Sequence, residues 1–328
     1  MKHWKKMLVV CAAMVGLVTL GTAAAADGVL ASAADRTLKG DKVCTECHDE
    51  NDNKAILAVY KGKHGVKADG RTPGCQSCHG ASEAHVKTGP KAGEAGGKRG
   101  PVDMVFGPKS KFSAKEQGEV CLSCHKGTQR THWAGSQHDS ADMSCVSCHT
   151  NHTHQDKVLK KATQPEVCYS CHKEQRADSH KLSHHPISEG KLACSDCHNP
   201  HGSAGPKLMK KNTVNETCFL CHAEKRGPVL FEHQPVVEDC SSCHTPHGSS
   251  ISPLLKSRSP FLCQECHDGS HASGTSVGTN AAGIQNGYVG TKATKALGLS
   301  PNYTGRGCMN CHSMVHGSNS PAGGYLQR

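Results

Sequence analysis

The chain has 328 residues, a formal net charge of +10, 35 glycines and only twelve aromatic residues. Aromatic side chains normally dominate the energetics of a folded core, and most stretches show no sustained apolar period of a helix or strand. This composition excludes an ordinary globular domain packed from side chains alone, so the chain is either disordered or built around another group.

The first residues have the pattern of a secretory signal. Met1–Lys6 is basic, Met7–Gly21 is apolar, and Ala24–Ala26 offers a cleavage site, with Ala31–Ala33 as the alternative. The apolar run is too short and wrongly flanked for a stable membrane span. Cys11 lies inside this run rather than after it, which disfavours a lipoprotein. We therefore expect an exported mature protein.

Every remaining cysteine belongs to a C-x-x-C-H motif, and ten copies use all twenty cysteines. C-x-x-C-H attaches c-type haem: its thiols form thioethers with the haem vinyl groups, and its histidine is the proximal iron ligand. The predicted thioether residues are Cys44, Cys47, Cys75, Cys78, Cys121, Cys124, Cys145, Cys148, Cys168, Cys171, Cys194, Cys197, Cys218, Cys221, Cys240, Cys243, Cys263, Cys266, Cys308 and Cys311. The predicted proximal ligands are His48, His79, His125, His149, His172, His198, His222, His244, His267 and His312.

Other uses of paired cysteines fit this pattern less well. Zinc ribbons do not require a histidine after every second cysteine, a thioredoxin-like site needs one C-x-x-C on a βαβ unit, and a disulfide framework is indifferent to the histidine. We therefore predict ten covalently attached haems. No motif lacks its histidine, and filled coordination favours electron transfer over catalysis at iron.

Haem also accounts for the composition and the charge. Ten macrocycles would supply the flat apolar surface that the side chains lack, so we expect the haem-free chain to be largely unfolded. Loss of Lys2, Lys5 and Lys6 with the signal lowers the formal charge from +10 to about +7. This basic excess offsets the haem propionates, and we expect no nucleic-acid partner.

Fourteen mature histidines lie outside the motifs, enough to give every haem iron a second, distal histidine. Three of them follow a proximal histidine by three residues, and two, His271 and His316, follow one by four. For the three and for His316 this is too few to wrap round the same haem, so each should bind a different haem or none. The predicted distal ligands are His64, His85, His138, His152, His185, His201, His233, His247, His271 and His316. The spare residues are His132, His154, His180 and His184, and spacing alone leaves the choice between His184 and His185 open.

Successive first cysteines from Cys121 to Cys263 recur at intervals of 22 to 26 residues, as in a repeat architecture. We expect a multihaem cytochrome c of mostly irregular loops with short α-helices, little or no β structure, and an elongated row of ten haems. Helices are predicted at Ala114–Leu122, at Glu166–Arg176 and around Asn215–Lys225, with Asn215 as a possible helix cap. Loops are predicted at Gly80–Val120 and Asp268–Gly307. The predicted divisions are a cleaved signal at 1–26, an N-terminal lead at 27–43, and pentahaem modules at 44–172 and 173–328.

Several segments resemble a known family. They are the ten motifs with their order and spacing, YKGKHG at Tyr60–Gly65, CSDCHNPHGS at Cys194–Ser203, CHAEKRGP at Cys221–Pro228, and the terminal CMNCHSMVHGSNSPAGGYLQR. They resemble the decahaem cytochromes of the MtrA/DmsE family, which includes the MtoA and PioA iron-oxidation branches. The resemblance implies ten haem c groups with bis-histidine ligation by the ten distal candidates, including His185 rather than His184.

The resemblance also implies a place and partners. Family members are periplasmic and sit partly inside an outer-membrane β-barrel porin. They exchange electrons with an inner-membrane or periplasmic cytochrome and with an outer-surface multihaem cytochrome or reductase. A bilayer is about 40–45 Å thick with its headgroups, and polar loops could cross it only inside such a barrel. The expected function is a conduit for extracellular metal or sulfoxide reduction or for ferrous iron oxidation. The alternatives are a free periplasmic electron shuttle or store and, less in keeping with filled coordination, an enzyme.

Overall fold

The computed structural model describes residues 40–49, 55–66, 69–88, 99–267, 308–321 and 323–327. The signal segment, the predicted loop at Asp268–Gly307 and the distal candidate His271 lie outside these residues. The predicted loop at Gly80–Val120 is described in part, and the division into two pentahaem modules stays a prediction.

The regular structure of the described residues consists of short α-helices joined by irregular loops. The helices are α1 Lys42–Thr45, α2 Cys75–His79, α3 Glu83–Lys87, α4 Ala114–Leu122, α5 Gln137–Ser140, α6 Gln164–Tyr169, α7 Lys173–Asp178, α8 Cys194–Cys197, α9 Val214–Cys218, α10 Gln234–Glu238 and α11 Phe261–Gln264. Short 3-10 segments lie at Ile56–Lys61, Lys63–Gly65, Thr128–Arg130, Cys145–Ser147, Lys157–Leu159, Pro206–Leu208, Ala223–Lys225, Cys240–Ser242, Cys308–Asn310 and Gly323–Tyr325.

Within the described ranges there is no β-strand, only four isolated antiparallel bridges. The longest helix, α4, has nine residues, fewer than the roughly 12–15 that make an isolated helix even marginally stable in water. The helices therefore depend on contacts with the rest of the molecule. None of the helices in the described part is long and apolar enough to cross a membrane. The prediction of short helices, irregular loops and little β structure is confirmed.

Helix α4 has the predicted bounds, and its start is stabilised by a capping box. The Ser113 hydroxyl accepts a hydrogen bond from the Glu116 backbone N–H, and the Glu116 carboxylate accepts one from the Ser113 backbone N–H. This reciprocal pair satisfies two amides that a helix start otherwise leaves without partners. Such a motif is local, so the sequence could predict it.

The other two predicted helices need correction. Glu166–Arg176 is two helices, α6 and α7, because the chain leaves helical geometry at His172, whose ψ is 69°. Asn215 is not a cap: the Thr213 hydroxyl accepts from the Glu216 N–H at the start of α9, and Asn215 is the second residue of the helix. Helix α9 ends at Cys218, and Ala223–Lys225 forms a separate 3-10 turn.

The buried Asn215 joins two haem-attachment motifs instead. Its Oδ1 accepts from the Cys240 backbone N–H at 2.7 Å, and its amide donates to the carbonyls of Val236 and Val237. Asp41 does the same before the first motif, where its Oδ1 accepts from the Cys75 N–H at 2.7 Å. With the ten motifs numbered in chain order, these buried polar side chains hold the first motif against the second and the seventh against the eighth.

Few apolar side chains are buried. Among the described residues the buried hydrophobic side chains are Tyr169, Ala193 and Met209. Three side chains remove far too little apolar area from water to offset the conformational entropy of ordering a chain of this size. The described part of the chain therefore does not fold around a core of its own side chains.

Candidate haem-binding sites

The C-x-x-C-H motifs share one local geometry. In nine of them a recorded hydrogen bond runs from the histidine backbone N–H to the carbonyl of the first cysteine, at 2.9–3.1 Å, and the motif at 75–79 forms helix α2. Positions i, i+3 and i+4 lie on one face of such a turn. The two thiols and the imidazole of each motif can therefore contact one macrocycle, as c-type attachment requires.

Nine proximal histidines each face one distal candidate. The ring centroids are separated by 6.2 Å in His48–His85, 5.9 Å in His125–His64, 6.0 Å in His79–His152, 6.2 Å in His172–His138, 6.0 Å in His149–His201, 6.3 Å in His222–His185, 6.1 Å in His198–His247, 6.2 Å in His267–His233 and 6.2 Å in His244–His316. The tenth proximal residue, His312, has its Nδ1 2.5 Å from the Tyr325 carbonyl, and its remaining candidate, His271, lies outside the described residues.

This separation fits two imidazoles on opposite sides of one metal ion. Imidazole nitrogens lie about 2 Å from a bound transition metal, which puts the two ring centroids about 6 Å apart. Groups of three or more side chains that could hold a metal ion are absent from the described residues. The donors come as facing pairs, which suits an iron whose other four positions belong to a porphyrin.

The pairs join motifs that are distant in sequence. His201 faces His149, 52 positions earlier, and not His198, three residues before it. The same rule holds for His152, His247 and His316: each faces the proximal histidine of the preceding even-numbered motif. In the odd-numbered motifs from the third to the ninth, the proximal histidine faces instead the distal candidate that lies just before the preceding even-numbered motif.

The thiols place consecutive motifs next to one another. In the pairs Cys44–Cys75, Cys121–Cys145, Cys168–Cys194, Cys218–Cys240 and Cys263–Cys308, the two first-cysteine thiols lie near enough for one to shift the pKa of the other. The Cys168 thiol, for example, lowers the pKa of Cys194 to about 7. Between these pairs the second cysteines are neighbours: burial raises the pKa of Cys78, and the Cys124 thiol adds to the rise. The same holds for Cys148 with Cys171, Cys197 with Cys221, and Cys243 with Cys266. Alternating pairs of thiols that influence each other thus follow the ten motifs in chain order.

Backbone carbonyls fix the orientation of many of the imidazoles. The Nδ1 atoms of His138, His185 and His233 lie 2.8–2.9 Å from the carbonyls of Pro200, Pro246 and Val315, each the residue before another distal candidate. A carbonyl can only accept, so these Nδ1 atoms carry the proton and leave Nε2 free to bind a metal. One distal histidine is therefore positioned by the segment that supplies the next.

Burial keeps several of these imidazoles neutral, as a metal ligand must be. The pKa is lowered chiefly by burial in His64, His79, His198, His201, His247 and His316. The spare His184 behaves differently, since the Lys181 carbonyl and the Glu189 carboxylate raise its pKa. The Nε2 of His184 lies 3.3 Å from Glu189, whereas His185 faces a proximal histidine.

One pair has hydrogen bonds that the sequence did not predict. The Nδ1 of His149 lies 2.7 Å from the carboxylate of Asp156, while the buried Nδ1 of its facing residue, His201, has no hydrogen-bond partner. Only a seven-residue separation links Asp156 to His149 in the sequence, and such a spacing carries no recognised signal. The donor set fits haem c all the same.

The comparisons with known proteins agree with this geometry. The family model of the doubled CXXCH motif matches residues 138–177, 184–227 and 233–272. "Multiheme cytochrome MtrA" of Shewanella baltica is 45% identical over 296 residues, which cover 88% of this chain and 82% of that protein. The chain belongs to the MtrA family of multihaem cytochromes. The resemblance found in the sequence is confirmed, and the protein is a c-type electron-transfer cytochrome with covalently bound haem.

Shorter matches cover part of the chain. "Cytochrome c-type protein NrfB" of Haemophilus influenzae is 31% identical over 142 residues, 38% of this chain and 59% of that protein. The protein of the same name from Escherichia coli O6:H1 is 27% identical over 121 residues, 35% of this chain and 55% of that protein. The MtrA relative is therefore the better guide to the whole chain.

Proposed function

We propose that the chain holds ten haems, each attached by one C-x-x-C-H motif and ligated by two histidines. The nine facing pairs support nine of these sites, and elimination assigns His271 to His312. The bound irons supply one-electron ferric/ferrous chemistry. The polypeptide sets the order of the sites, because thiols of consecutive motifs are neighbours from the first pair to the last. It also fills both axial positions, so the protein is an electron carrier without a substrate-turnover site of its own.

We further propose that this row of sites is a conduit across the outer membrane, inside a β-barrel porin. The carrying observation is the single unbranched order of the motifs, combined with membership of the MtrA family. A conduit needs entry at one end and exit at the other, with every site in series. Entry and exit partners are then a periplasmic or inner-membrane cytochrome and an outer-surface multihaem cytochrome or reductase. The secretory signal supports a periplasmic location.

The competing proposal is a free periplasmic shuttle or store. The NrfB matches do not decide for it, because they span just over a third of the chain and leave the rest unaccounted for. A shuttle needs no fixed order from end to end, whereas alternating thiol contacts join all ten motifs. The two pentahaem modules at 44–172 and 173–328 remain part of the proposal as possible units of the row.

A vesicle experiment separates the two proposals. The holoprotein is isolated with the barrel protein that copurifies from outer membranes and is placed in phosphatidylcholine vesicles that enclose oxidised methyl viologen. Dithionite is then added outside. A conduit predicts viologen reduction only when barrel and cytochrome are both present. Equal reduction with barrel alone, or recovery of the cytochrome only as a free periplasmic protein, would refute the conduit.

A further inference from the structure

The fourth motif, Cys145–His149, differs from the second and the sixth in the hydrogen-bond partner of its proximal histidine. The carboxylate of Asp156 lies 2.7 Å from His149 Nδ1, and only 11% of the Asp156 side chain is exposed. Elsewhere the recorded partners of proximal Nδ1 atoms are backbone carbonyls, as for His79 with Met104 at 2.9 Å and for His198 with Lys207 at 2.9 Å. Glu224 lies 3.7 Å from His222 Nδ1, beyond hydrogen-bond distance.

We propose that Asp156 is a positioning residue that makes His149 a stronger electron donor to its haem iron than a histidine bonded to a backbone carbonyl, and thereby lowers the reduction potential of the haem at Cys145 and Cys148. The inference rests on the proposed bis-histidine ligation. A carboxylate that accepts the Nδ1 proton increases the basicity of the imidazole. The more basic ligand stabilises ferric iron more than ferrous iron, and a nearby negative charge acts in the same direction. Reduction adds one electron to the iron and moves no proton.

The opposite side of the same site strengthens this inference. The buried Nδ1 of His201 has no hydrogen-bond partner, although five other distal candidates place Nδ1 within 3.0 Å of a backbone carbonyl. The donor strength at this iron therefore depends on His149 and, through it, on Asp156. In the proposed series of sites, the haem at Cys145 and Cys148 is one step between its neighbours, and Asp156 would set the potential of that step.

Asp156→Asn is the matched substitution. Asparagine keeps the shape and can still accept from the Val158 backbone N–H, which now bonds Asp156 Oδ1 at 3.3 Å. It replaces the charged acceptor of the imidazole by a neutral one that resembles a backbone carbonyl. In a potentiometric titration of the ten-haem protein we expect one haem to rise in potential. Its reduced-to-oxidised ratio at a fixed potential should rise at least ten-fold, about 59 mV for one electron.

Assignment to a particular haem uses a second substitution. Methionine in place of a distal histidine raises the potential, so His201→Met should separate one wave from the other nine. Asp156→Asn should raise this separated wave further. In a His247→Met background, where the separated wave belongs to the haem at Cys194 and Cys197, Asp156→Asn should leave it unchanged.

Two controls test the cause. Asp239→Asn removes a carboxylate that likewise caps a 3-10 turn beside a motif but bonds Ser241 rather than a histidine, and it should not move the His201→Met wave. Asp156→Glu keeps the charge and should shift the potential less than Asp156→Asn. Equal shifts with Asn and Glu, or no shifted haem with Asp156→Asn in the otherwise unaltered protein, would overturn the inference. If His201→Met separates no wave, the ligation proposal fails instead.

Discussion

Two segments of seventeen residues, Cys145–Lys161 and Cys194–Lys210, carry the same ligand pattern on different loops. Each has a motif followed three residues later by a distal histidine. In the second segment the His198 imidazole bonds the Lys207 carbonyl, and the backbone closes an antiparallel bridge between His198 and Met209. In the first segment the imidazole of His149 bonds the Asp156 carboxylate instead.

The residue after the distal histidine differs as well. It is Gly202 in one segment, with φ at +105°, and a Cβ there would lie 2.0 Å from the His132 carbonyl oxygen. In the other segment it is Thr153, whose carbonyl oxygen would lie 2.9 Å from a Cβ added at Gly62. Both segments make a close backbone approach, but the glycine belongs to the ligand segment at Gly202 and to the segment that it approaches at Gly62.

The features shared by the two segments are those that haem ligation requires, and the features that differ can tune the haem potential. The spacing of cysteines and histidines is the same in both segments because both must place two thiols and an imidazole against one macrocycle and a distal imidazole against the macrocycle of the preceding even-numbered motif. The hydrogen-bond partner of the proximal imidazole depends on the loop that follows, and there the segments are free to differ. Differences in potential between haems should therefore arise in these loops.

Removal of haem should abolish the folded structure of both segments. We expect the chain made without haem attachment to lose both segments, because each depends on the macrocycles and on facing imidazoles rather than on buried side chains. Far-ultraviolet circular dichroism and a thermal scan of haem-free and ten-haem protein measure this. Near-native helicity with a cooperative melt in the haem-free chain would contradict it.

Gly202→Ala should be the most damaging single substitution in the comparison. The positive φ alone costs about 1–3 kcal/mol for a residue with a side chain, and the clash with the His132 carbonyl adds to it. We expect a loss of stability of at least roughly 2 kcal/mol and a displaced His201. Thermal unfolding and the low-spin absorbance of the ferric protein measure the two effects.

Thr153→Ala is the matched control at the equivalent position. Thr153 makes local hydrogen bonds with Gln155, and its removal should change stability by no more than about 0.5 kcal/mol. Equal losses from the two substitutions would mean that the close approach at Gly202 is not needed for the distal ligand.

The sequence predicts this architecture unevenly, for physical reasons. Motif spacing and the capping box at Ser113 depend on residues within one turn, so they can be recognised without a structure. The partner of His201 could not be predicted, since the choice among neighbouring irons depends on how distant segments pack. The local sequence predicts a helix cap at Asn215, because its actual bond to the Cys240 N–H spans 25 positions and leaves no local signal.

Haems with parallel and with perpendicular facing imidazoles should give different electron paramagnetic resonance signals. His149 and His201 are nearly parallel at 9°, whereas His172 and His138 stand at 79°. Parallel rings donate into the same iron d orbital and split the d levels, while perpendicular rings cancel that splitting. Electron paramagnetic resonance of the ferric protein should show rhombic and large-gmax low-spin signals together. His201→Met should remove intensity from the rhombic class, and loss from the large-gmax class would contradict the pairing.

The smallest effect is expected where the two compared segments touch directly. Lys161 forms an ion pair with Asp196 at 3.0 Å, and the lysine side chain is 56% exposed. Exposed pairs of this kind contribute about 0.2–1 kcal/mol and weaken with salt, so Lys161→Met should lower stability by no more than that.

Burial opposes ionisation of Asp196, but the Ala193 N–H and Lys161 outweigh it and lower the pKa. The stability that comes from the lowered pKa is present above the ordinary pKa of an aspartate and is lost as the pH falls through the lower folded value. The difference between native and Lys161→Met protein should therefore shrink both in high salt and below that pH. Thermal scans at two salt concentrations and two pH values measure it. A larger loss, insensitive to salt, would mean that Lys161 positions Asp196 rather than merely pairing with it.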